Sequence, residues 1–413
     1  MMEERARRGG SMLVRERYLN RLRPLYEVGD LVKVVTGVRR AGKSVLLRQV
    51  ADELRRAHPA AAVIQLNFES MDIDHLRRPR ALIDHVASQL RPGQGLGYVI
   101  LDEVQEVAEF ERAVNSLRAR GDVSVFISGS NAHLMSGDLA TYLAGRYTEI
   151  RVWPLDYSES LQLRGLEPAA DSGQLDDFLA LGGMPGRFQL EPGSQRAYLA
   201  DVFNSVVLRD VVQRSGVRDI AALETIVDFA LENLGRVLSP TSVAAYLKGN
   251  GRAVAVETVY SYVRALTGAL LVNRVRRYDI RGKKVMASLD KLYATDVGLL
   301  AAKRVGSGPG AGDLVENAVF AQLSARGYDV YTGKTRTGEI DFVAVKDSQP
   351  RYVQVAYLLH DPAVAAREFG AFATLRDGHP RFVISLDPLT QDRDGARHLR
   401  LAEFLLDPPP ELS

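Results

Sequence analysis

Short apolar runs alternate with amphipathic stretches along the first third of the chain. An apolar run of about four to eight residues that ends in glycine or polar residues is typical of a buried strand. Such runs lie at residues 31–35, 61–68, 98–101, 123–127 and 149–155. Between them, residues 43–57 and 107–120 show the spacing of amphipathic helices. Strands that alternate with helices predict an α/β fold with a parallel sheet covered by helices.

The rest of the chain changes pattern twice. Residues 156–230 have helical spacing and predict a helical lid or linker. Residues 231–305 then show short helices followed by two β-like runs around a basic turn at 280–284, which is the order of a winged helix-turn-helix module. After a glycine-rich linker at 306–312, residues 313–395 return to mixed helices and strands.

Composition narrows the class of protein. Of the 413 residues, 46% are apolar and 25% are charged, which is ordinary for folded chains of roughly two to four domains. The chain has no cysteine, so disulfides, thiol nucleophiles and cysteine-ligated metals are excluded. No stretch reaches the roughly 18 apolar residues of a membrane helix, and the first residues lack the apolar core of a signal peptide. We therefore expect a cytoplasmic protein without a membrane partner.

The segment between the first strand and the first long helix carries a phosphate-binding pattern. Residues 37–44, GVRRAGKS, match GxxxxGK[ST] in the strand-loop-helix context that this motif requires. Backbone N–H groups of such a loop and the helix N-terminus surround the phosphates, while Lys43 adds positive charge and the Ser44 hydroxyl ligates Mg²⁺. We expect ATP or ADP to contact Gly37, Arg39, Arg40, Ala41, Gly42, Lys43, Ser44 and Val45.

An acidic pair follows the third predicted strand. Asp102 and Glu103 come directly after the run at 98–101. In P-loop ATPases an acid at this place helps to hold Mg²⁺, and another residue orients the attacking water. We expect Asp102 to bind Mg²⁺ together with Ser44, and we expect Glu103 and Lys43 to be catalytic. An ordinary surface turn is the alternative for the acidic pair.

Two further polar positions lie next to later strands. Ser130 and Asn131 follow the run at 123–127, where a polar side chain can sense the terminal phosphate, and capping of a helix is the alternative. Arg146 precedes the run at 149–155, and an arginine there suits catalytic insertion into the nucleotide site of a neighbouring copy. This role implies a homo-oligomer, whereas the alternative for Arg146 is a surface ion pair.

Charge is unevenly distributed along the chain. The net charge is +2, but residues 235–291 contain eleven Lys and Arg against three acids, a net of +8, so the remainder carries −6. Lys and Arg neutralise nucleic-acid phosphates with an affinity that falls with salt. We expect the module to contact double-stranded DNA, and packing against protein alone is the alternative. Lys291 and Asp296 are expected to make internal contacts. The expected DNA contacts are Arg252, Tyr260, Arg264, Arg281, Lys283 and Lys284.

Carboxylates in the last third of the chain form a third candidate site. Glu316 lies in a helix-like segment, Glu339 and Asp341 begin a strand, and Gln354 lies on the next strand. This is the order of one large class of nucleases, the PD-(D/E)xK type, in which carboxylates hold Mg²⁺ and a lysine assists the water. Alanine at 356 occupies the lysine position. We therefore expect a nuclease-like α/β domain whose site is vestigial and does not cut DNA.

Several motifs together resemble a known family. TGVRRAGKS at 36–44, ILDEVQ at 100–105, LAGRY at 143–147 and KLYATDVGL at 291–299 are similar to those of prokaryotic AAA-type (AAA_14) ATPases that carry a C-terminal DUF4143 domain. The resemblance covers about residues 14–390. It implies a P-loop AAA-type ATPase fold, a winged-helix module and a nuclease-like C-terminal fold, and it leaves the biological pathway undefined.

Pattern and motifs together predict five segments. They are a tail at 1–13, a P-loop AAA-type ATPase domain at 14–155, a helical lid or linker at 156–230, a winged helix-turn-helix module at 231–305 and a nuclease-like α/β domain, the DUF4143 region, at 313–395. The expected function is hydrolysis of ATP with Mg²⁺, coupled to movement of the winged-helix module on DNA. The alternatives are a nucleotide-gated DNA-binding regulator with slow hydrolysis, an ATP-dependent nuclease and a protein-remodelling ATPase.

Overall fold

In a computed structural model, the chain folds into two compact units, Met1–Val152 and Trp153–Ser413. The described residues are 13–90, 95–135, 138–168, 173–213, 216–217, 219–286, 290–301, 310–336 and 338–412. All but the last residue of the predicted tail at 1–13, and most of the predicted linker at 306–312, lie outside these residues. The five predicted segments and their boundaries stay predictions.

The first unit is built on a parallel sheet of five strands in the order β2-β3-β4-β1-β5. The strands are β1 Val32–Thr36, β2 Val63–Asn67, β3 Gly97–Asp102, β4 Val123–Gly129 and β5 Tyr147–Arg151. The helices are α1 Glu16–Leu22, α2 Lys43–Ala57, α3 Pro79–Gln89, α4 Phe110–Ala119 and α5 Asp138–Leu143. The predicted parallel sheet is confirmed, because each of the five apolar runs contains or overlaps a strand.

The central strands account for the continuous apolar runs in the sequence. β1, β3 and β4 are buried at every residue, as expected for inner strands of a helix-covered parallel sheet. The residues that follow β1, β3 and β4 meet at one edge of the sheet, which we call the carboxyl edge. The phosphate loop, the acidic pair and the Ser130–Asn131 segment all lie there.

The core of this sheet contains a buried lysine. Lys33 of β1 is fully buried, and its ammonium donates hydrogen bonds to the carbonyl oxygen of Val28 at 2.5 Å and to the hydroxyl of Ser124 at 2.7 Å. The ammonium also lies 5.0 Å from the centroid of the Phe126 ring. Burial lowers the pKa of Lys33 to about 8, since no described carboxylate pairs with it. The first unit therefore holds a buried amine whose charge is costly.

The second unit combines helices with two sheets. Its helices are α6 Tyr157–Arg164, α7 Gln174–Leu181, α8 Pro192–Val206, α9 Ile220–Glu232, α10 Pro240–Gly249, α11 Val256–Gly268, α12 Val297–Ala301, α13 Ala311–Ala325, α14 Pro362–Gly370 and α15 Leu401–Leu406. Its strands are β6 Val272–Val275, β7 Arg277–Asp279, β8 Lys284–Val285, β9 Lys291–Ala294, β10 Asp329–Lys334, β11 Glu339–Lys346, β12 Gln349–Val355, β13 Arg381–Ser385 and β14 Arg397–Arg400. The larger sheet has the order β14-β13-β12-β11-β10-β7-β8, and β6 pairs with β9.

The helical pattern of residues 156–230 is confirmed. The described residues of this stretch form helices and no strand, and the π-helical segment Val207–Gln213 continues α8. Within the described parts of both units, no helix is long and apolar enough to span a lipid bilayer.

A buried carboxylate joins three segments of the second unit. Asp296 precedes α12 and accepts hydrogen bonds from the N–H groups of Gly183 at 2.7 Å and Gly298 at 2.8 Å. A Cβ atom at position 183 would lie 1.8 Å from the carbonyl oxygen of Leu155, so only glycine fits there. Burial raises the pKa of Asp296 to about 6. The expectation that Asp296 makes internal contacts is confirmed.

The basic turn at 280–284 joins β7 to β8, and this hairpin belongs to the larger sheet. β7 pairs in parallel with β10, whereas β6 pairs with β9 in antiparallel fashion. The larger sheet therefore contains strands from both sides of the predicted linker at 306–312. The sequence pattern predicts the two β-like runs around the turn, but it does not show this pairing.

Candidate nucleotide site

The phosphate loop connects β1 to α2 at the carboxyl edge. Gly37 has a φ of 152°, and a Cβ atom there would lie 2.3 Å from the carbonyl oxygen of Val152, so a larger residue does not fit. α2 begins at Lys43, directly after the loop, and the positive end of its dipole therefore faces the loop. This is the geometry in which backbone N–H groups bind phosphate.

Lys43 is buried at the centre of this site. Its ammonium donates hydrogen bonds to the carbonyl oxygens of Gly37 at 3.0 Å and Val38 at 3.3 Å. It also lies 3.4 Å from a carboxylate oxygen of Glu103. The structure therefore brings together the loop, Lys43 and Glu103, which the sequence placed about sixty residues apart.

Glu103 occupies a strained position. Its backbone is left-handed, with φ 52° and ψ 48°, and its side chain is buried. Such a conformation is rare for residues other than glycine and is concentrated at functional sites. Gln105 donates a hydrogen bond to the Glu103 carboxylate. Burial alone would raise the pKa of Glu103, but the positive charge of Lys43, the hydrogen bond from Gln105 and the positive charge of Arg39 outweigh it and lower the pKa.

Asp102 is fixed by a residue that the sequence did not single out. The hydroxyl of Ser128 donates a hydrogen bond to Asp102 and accepts one from the N–H of Glu103 at 3.0 Å. Ser128 lies near the end of β4, which is the neighbour of β3 in the sheet. A single serine therefore orients both members of the acidic pair. The strand order was the signal needed to find it, and periodicity does not supply that order.

Ser44 and Asp102 line one cleft of about 630 Å³, together with polar residues of β2 and α2. A hydroxyl and a carboxylate are oxygen donors of the kind that Mg²⁺ prefers, and Mg²⁺ usually takes only one or two protein ligands beside water and phosphate. The described residues contain no group of three or more His, Cys, Asp or Glu that could hold a metal by protein ligands alone. The pair therefore fits Mg²⁺ bound together with a nucleotide.

The other loop residues differ in exposure. Ala41 is buried, Val45 is half-buried, and Arg40 is exposed with a φ of 65°. The guanidinium of Arg39 is largely buried and forms an ion pair with Glu69 at 2.9 Å. These positions agree with a loop whose backbone, rather than its side chains, surrounds the ligand at most residues.

The segment before α1 also reaches the phosphate loop. The N–H of Arg15 donates to the amide oxygen of Gln49 at 3.2 Å, and its guanidinium donates to the carbonyl oxygen of Ala41 at 3.4 Å. Gln49 in turn donates to the carbonyl oxygen of Leu13 at 2.7 Å. The sequence pattern does not single out Arg15 and Gln49, because apolar spacing treats both as solvent-facing residues of helices.

Ser130 and Asn131 lie at the carboxyl edge, as expected from their place after β4. Both are buried. Their proposed contact with the terminal phosphate stays a prediction.

Arg146 lies at the opposite edge of the sheet. Its carbonyl oxygen accepts a hydrogen bond from the N–H of Val32 at 3.0 Å, and its guanidinium lies 3.4 Å from a carboxylate oxygen of Asp30. A strand of five residues separates this end of β1 from the phosphate loop, a span of roughly 16 Å. Arg146 therefore does not reach the nucleotide site of its own chain, and its side chain forms the surface ion pair considered as the alternative. Insertion into a neighbouring copy stays a prediction.

The expected DNA contacts lie on two elements of the second unit and in one loop. Tyr260 and Arg264 are exposed on α11, and Tyr260 is 55% exposed. Arg252 precedes α11 and forms an ion pair with Asp219 at 2.9 Å. The turn between β7 and β8 exposes Arg281, Lys283 and Lys284. Their contact with DNA stays a prediction.

The C-terminal carboxylates converge, as their order in the sequence suggests. Glu339 and Asp341 lie on β11, Gln354 lies on β12, and Glu316 lies on α13. The side-chain oxygen of Gln354 accepts the N–H of Asp341 at 3.2 Å, and Asp341 accepts the N–H of Val355 at 2.8 Å. Burial raises the pKa values of Glu316 and Asp341.

An ammonium group stands beside these carboxylates, although position 356 is alanine. Lys291 of β9 lies 2.7 Å from a carboxylate oxygen of Glu339 and 3.8 Å from one of Glu316. Arg277 forms a second ion pair with Glu339 at 2.7 Å. The expected internal contacts of Lys291 are confirmed. The sequence pattern does not indicate that its partners are the carboxylates of the candidate nuclease site.

Models of protein families match two stretches of the chain. Residues 30–161 match AAA_14, described as an AAA domain, and residues 172–307 match DUF8612, a domain of unknown function. The first match agrees with the expected AAA-type domain. The second carries a different name from the DUF4143 domain expected at 313–395, so that finer family name is not confirmed.

Two relatives span most of the chain. An uncharacterized protein of Haemophilus influenzae is 31% identical over 402 residues, which cover 96% of this chain and 99% of the relative. An uncharacterized protein of Methanocaldococcus jannaschii is 25% identical over 357 residues, which cover 81% of this chain and 76% of the relative. The first relative matches both units along nearly their full length.

Solved structures with some similarity include two proteins in complex with DNA. The Aeropyrum pernix ORC1 protein in complex with DNA is 12% identical, with a TM-score of 0.35, and the match covers 76% of this chain and 94% of that one. The replication initiator DnaA bound to AMPPCP and single-stranded DNA is 16% identical, with a TM-score of 0.32, and the match covers 61% and 86%. The chain belongs to the same family as the Haemophilus influenzae protein, and its first unit is an AAA domain of the P-loop ATPase type.

Proposed function

We propose that this protein binds ATP together with Mg²⁺ and hydrolyses it at the carboxyl edge of the first unit. The observation that carries the proposal is the contact of 3.4 Å between Lys43 and Glu103, which places a phosphate-binding cation beside an anionic base. The lowered pKa of Glu103 keeps this carboxylate ionised at neutral pH, as a group that orients water and accepts its proton must be.

Each residue of the site has a task that follows from its position. The loop N–H groups and Lys43 hold the phosphates, while Ser44 and Asp102 hold Mg²⁺. The metal ion would supply positive charge to the phosphate oxygens. Ser128 keeps the Asp102 carboxylate and the Glu103 backbone in fixed orientation. Glu103 would orient the water that attacks the terminal phosphate.

Two substitutions test this assignment against a matched control. Lys43→Ala should abolish turnover and weaken ATP binding, and Glu103→Gln should bind ATP but turn over slowly. Arg80→Ala is the control, because Arg80 is exposed on α3, does not line this cleft and pairs only locally with Asp84 at 3.0 Å. The measurements are phosphate release and direct nucleotide binding. Hydrolysis retained by Lys43→Ala would overturn the site, and loss of ATP binding by Glu103→Gln would make Glu103 structural.

The second unit is proposed to couple the nucleotide state to DNA. Helices α9, α10 and α11 followed by the antiparallel pair β6 and β9 have the order of a winged helix-turn-helix module. Its exposed positive side chains on α11 and on the turn between β7 and β8 are suited to phosphate contact. We therefore expect double-stranded DNA to bind this surface and to change the ATPase rate.

The DNA proposal is tested by salt dependence. The slope of log affinity against log salt is negative, and each lost phosphate contact makes it shallower by about 0.9. Arg281→Ala combined with Lys284→Ala should therefore reduce its magnitude by about 2. Arg80→Ala is the control, because Arg80 is an exposed first-unit residue paired with Asp84 at 3.0 Å. An unchanged slope in the double variant, or no binding by wild type, would remove DNA from the proposal.

A slow nucleotide-gated switch is the second candidate, and one observation favours it. In the described structure Glu103 is held by both Lys43 and Gln105. A base engaged in this way is less available to water until Lys43 moves to a phosphate. A turnover far below about 1 per second, unchanged by DNA, would favour the switch over the motor.

The C-terminal region is proposed to be nuclease-like without cleavage. Lys291 forms ion pairs with Glu339 and Glu316, so its ammonium already neutralises carboxylates that a metal ion would otherwise pair with. Incubation of supercoiled DNA with Mg²⁺ or Mn²⁺ tests this, with Asp341→Ala as the comparison. Cutting by wild type that the variant loses would establish an active nuclease instead.

A further inference from the structure

The most unusual side chain of the phosphate loop is Arg39. Only 9% of this residue is exposed, although arginine is rarely buried. One guanidinium nitrogen, Nη2, donates to a carboxylate oxygen of Glu69 at 2.9 Å. The other, Nη1, is buried and has no hydrogen-bond partner among the described residues. Arg39 is therefore anchored at one end and unsatisfied at the other.

A buried donor without a partner is costly, particularly on a charged group. The cost is removed if a ligand supplies an acceptor at that nitrogen. A second buried atom of the site, the side-chain oxygen of Gln105, also has no partner, although the nitrogen of the same amide binds Glu103. An unsatisfied donor on Arg39 and an unsatisfied acceptor on Gln105, two residues that act on the Glu103 carboxylate, indicate that a polar ligand completes the hydrogen bonding of the site.

The surroundings of Arg39 define the chemistry of that ligand. Glu69 follows β2, so its anchor lies at the carboxyl edge with the rest of the nucleotide site. Arg39 lies in the same loop as Lys43, and the positive charge of both side chains contributes to the lowered pKa of Glu103. A planar guanidinium with one nitrogen held by a carboxylate presents its second nitrogen in a fixed direction. Phosphate oxygens are among the acceptors that such a group binds strongly.

We propose that Arg39 contacts the terminal phosphate of ATP from within the same chain, with Glu69 as the carboxylate that positions it. The inference rests on the proposed function of the site and deepens it. It assigns Arg39 a side-chain role that the phosphate-loop motif does not require, since the motif accepts any residue at this position. Arg39 also lies on the correct edge of the sheet, whereas Arg146 lies on the opposite edge of its own chain.

The test compares affinities for ATP and ADP, which differ by the terminal phosphate. Arg39→Ala should weaken ATP binding about 10-fold to 100-fold and change ADP binding less than about threefold, because one charge-assisted hydrogen bond is lost only with ATP. Arg39→Lys keeps the charge but not the fork and should recover part of the affinity. Glu69→Gln keeps an acceptor for Nη2 and should cause a smaller loss, again confined to ATP.

The controls separate this inference from the proposed function. Binding is measured by calorimetry with Mg²⁺ and each nucleotide, and thermal melting shows whether each variant is folded. Arg80→Ala, at an exposed residue outside the cleft, should bind both nucleotides as wild type does. If wild type binds neither nucleotide, the proposed function fails. If wild type binds both and the Arg39 and Glu69 variants lose ATP and ADP equally, or lose neither, the role of Arg39 is overturned while the nucleotide site stands.

Discussion

Lys33 gives a quantitative test of the first unit's core. Its pKa is lowered from 10.5 to about 8 by burial. The difference of about 2.5 pKa units corresponds to about 3 kcal/mol. Between pH 8 and 10.5 the unfolded chain still holds this proton and the folded chain has lost it. The free energy of unfolding should therefore rise with pH across this window, and the full cost of the buried charge is present below pH 8.

Lys33→Met is the matching perturbation. It removes the charge and keeps an unbranched side chain of similar length. The carbonyl oxygen of Val28 still accepts the N–H of Leu31 at 3.4 Å, and the hydroxyl of Ser124 still donates to the carbonyl oxygen of Tyr26 at 2.7 Å. The substitution therefore leaves neither polar group unpaired. The variant should lack the rise of about 3 kcal/mol that wild type shows between pH 8 and 10.5.

The assay is urea unfolding of both full-length proteins, followed by circular dichroism at several pH values from 7 to 10.5. The difference between the two proteins cancels all other titrating groups. Lys248→Met, an exposed lysine of the second unit, is the control and should follow wild type. Parallel pH profiles of wild type and Lys33→Met would refute the reasoning, because the buried amine would then titrate as it does in the unfolded chain.

Three further predictions concern other parts of the molecule. Ser128→Ala should lower kcat about tenfold with little change in ATP affinity, because both Asp102 and the Glu103 backbone lose the hydroxyl that orients them. Steady-state hydrolysis and calorimetry measure the two quantities, and an unchanged kcat would contradict the prediction. If Arg146 acts in a neighbouring copy, turnover per chain should rise with protein concentration and Arg146→Ala should lose it, whereas constant specific activity would exclude that role. Because burial raises the pKa of Asp296 to about 6, the free energy of unfolding of the second unit should fall by about 3 kcal/mol as the pH rises from 4 to 6. Asp296→Asn should not show this fall when unfolding is followed by the fluorescence of Trp153, and identical pH profiles would contradict the prediction.

The sequence predicts those parts of the structure that depend on neighbours along the chain. The apolar runs locate the five strands of the first unit, because inner parallel strands are buried on both faces. The GVRRAGKS motif locates the loop, and its strand-loop-helix context is confirmed by β1 and α2. The acidic pair lies at the end of β3, where the spacing placed it. These are local signals, and each is contained in a short segment.

The remainder depends on strand order and on long-range pairing, which periodicity does not report. Ser128 orients the acidic pair because β4 lies beside β3 in the sheet. Glu69 reaches Arg39 because the carboxyl end of β2 lies at the same edge as the phosphate loop. Lys291 approaches the C-terminal carboxylates from β9, so no motif in the last third of the chain could have predicted it. Polar residues fixed by tertiary contacts are thus the part that the sequence alone did not show.

The left-handed backbone of Glu103 also limits how the chain can vary. Glycine would adopt this conformation without strain, whereas a glutamate holds it at a cost of about 1 to 3 kcal/mol. Small domains are stable by only about 5 to 15 kcal/mol, so this is a substantial share. The residue that would relieve the backbone strain at position 103 is therefore one that cannot accept a proton. Under the proposed role of Glu103, selection for a relaxed backbone and selection for turnover therefore oppose each other at this position.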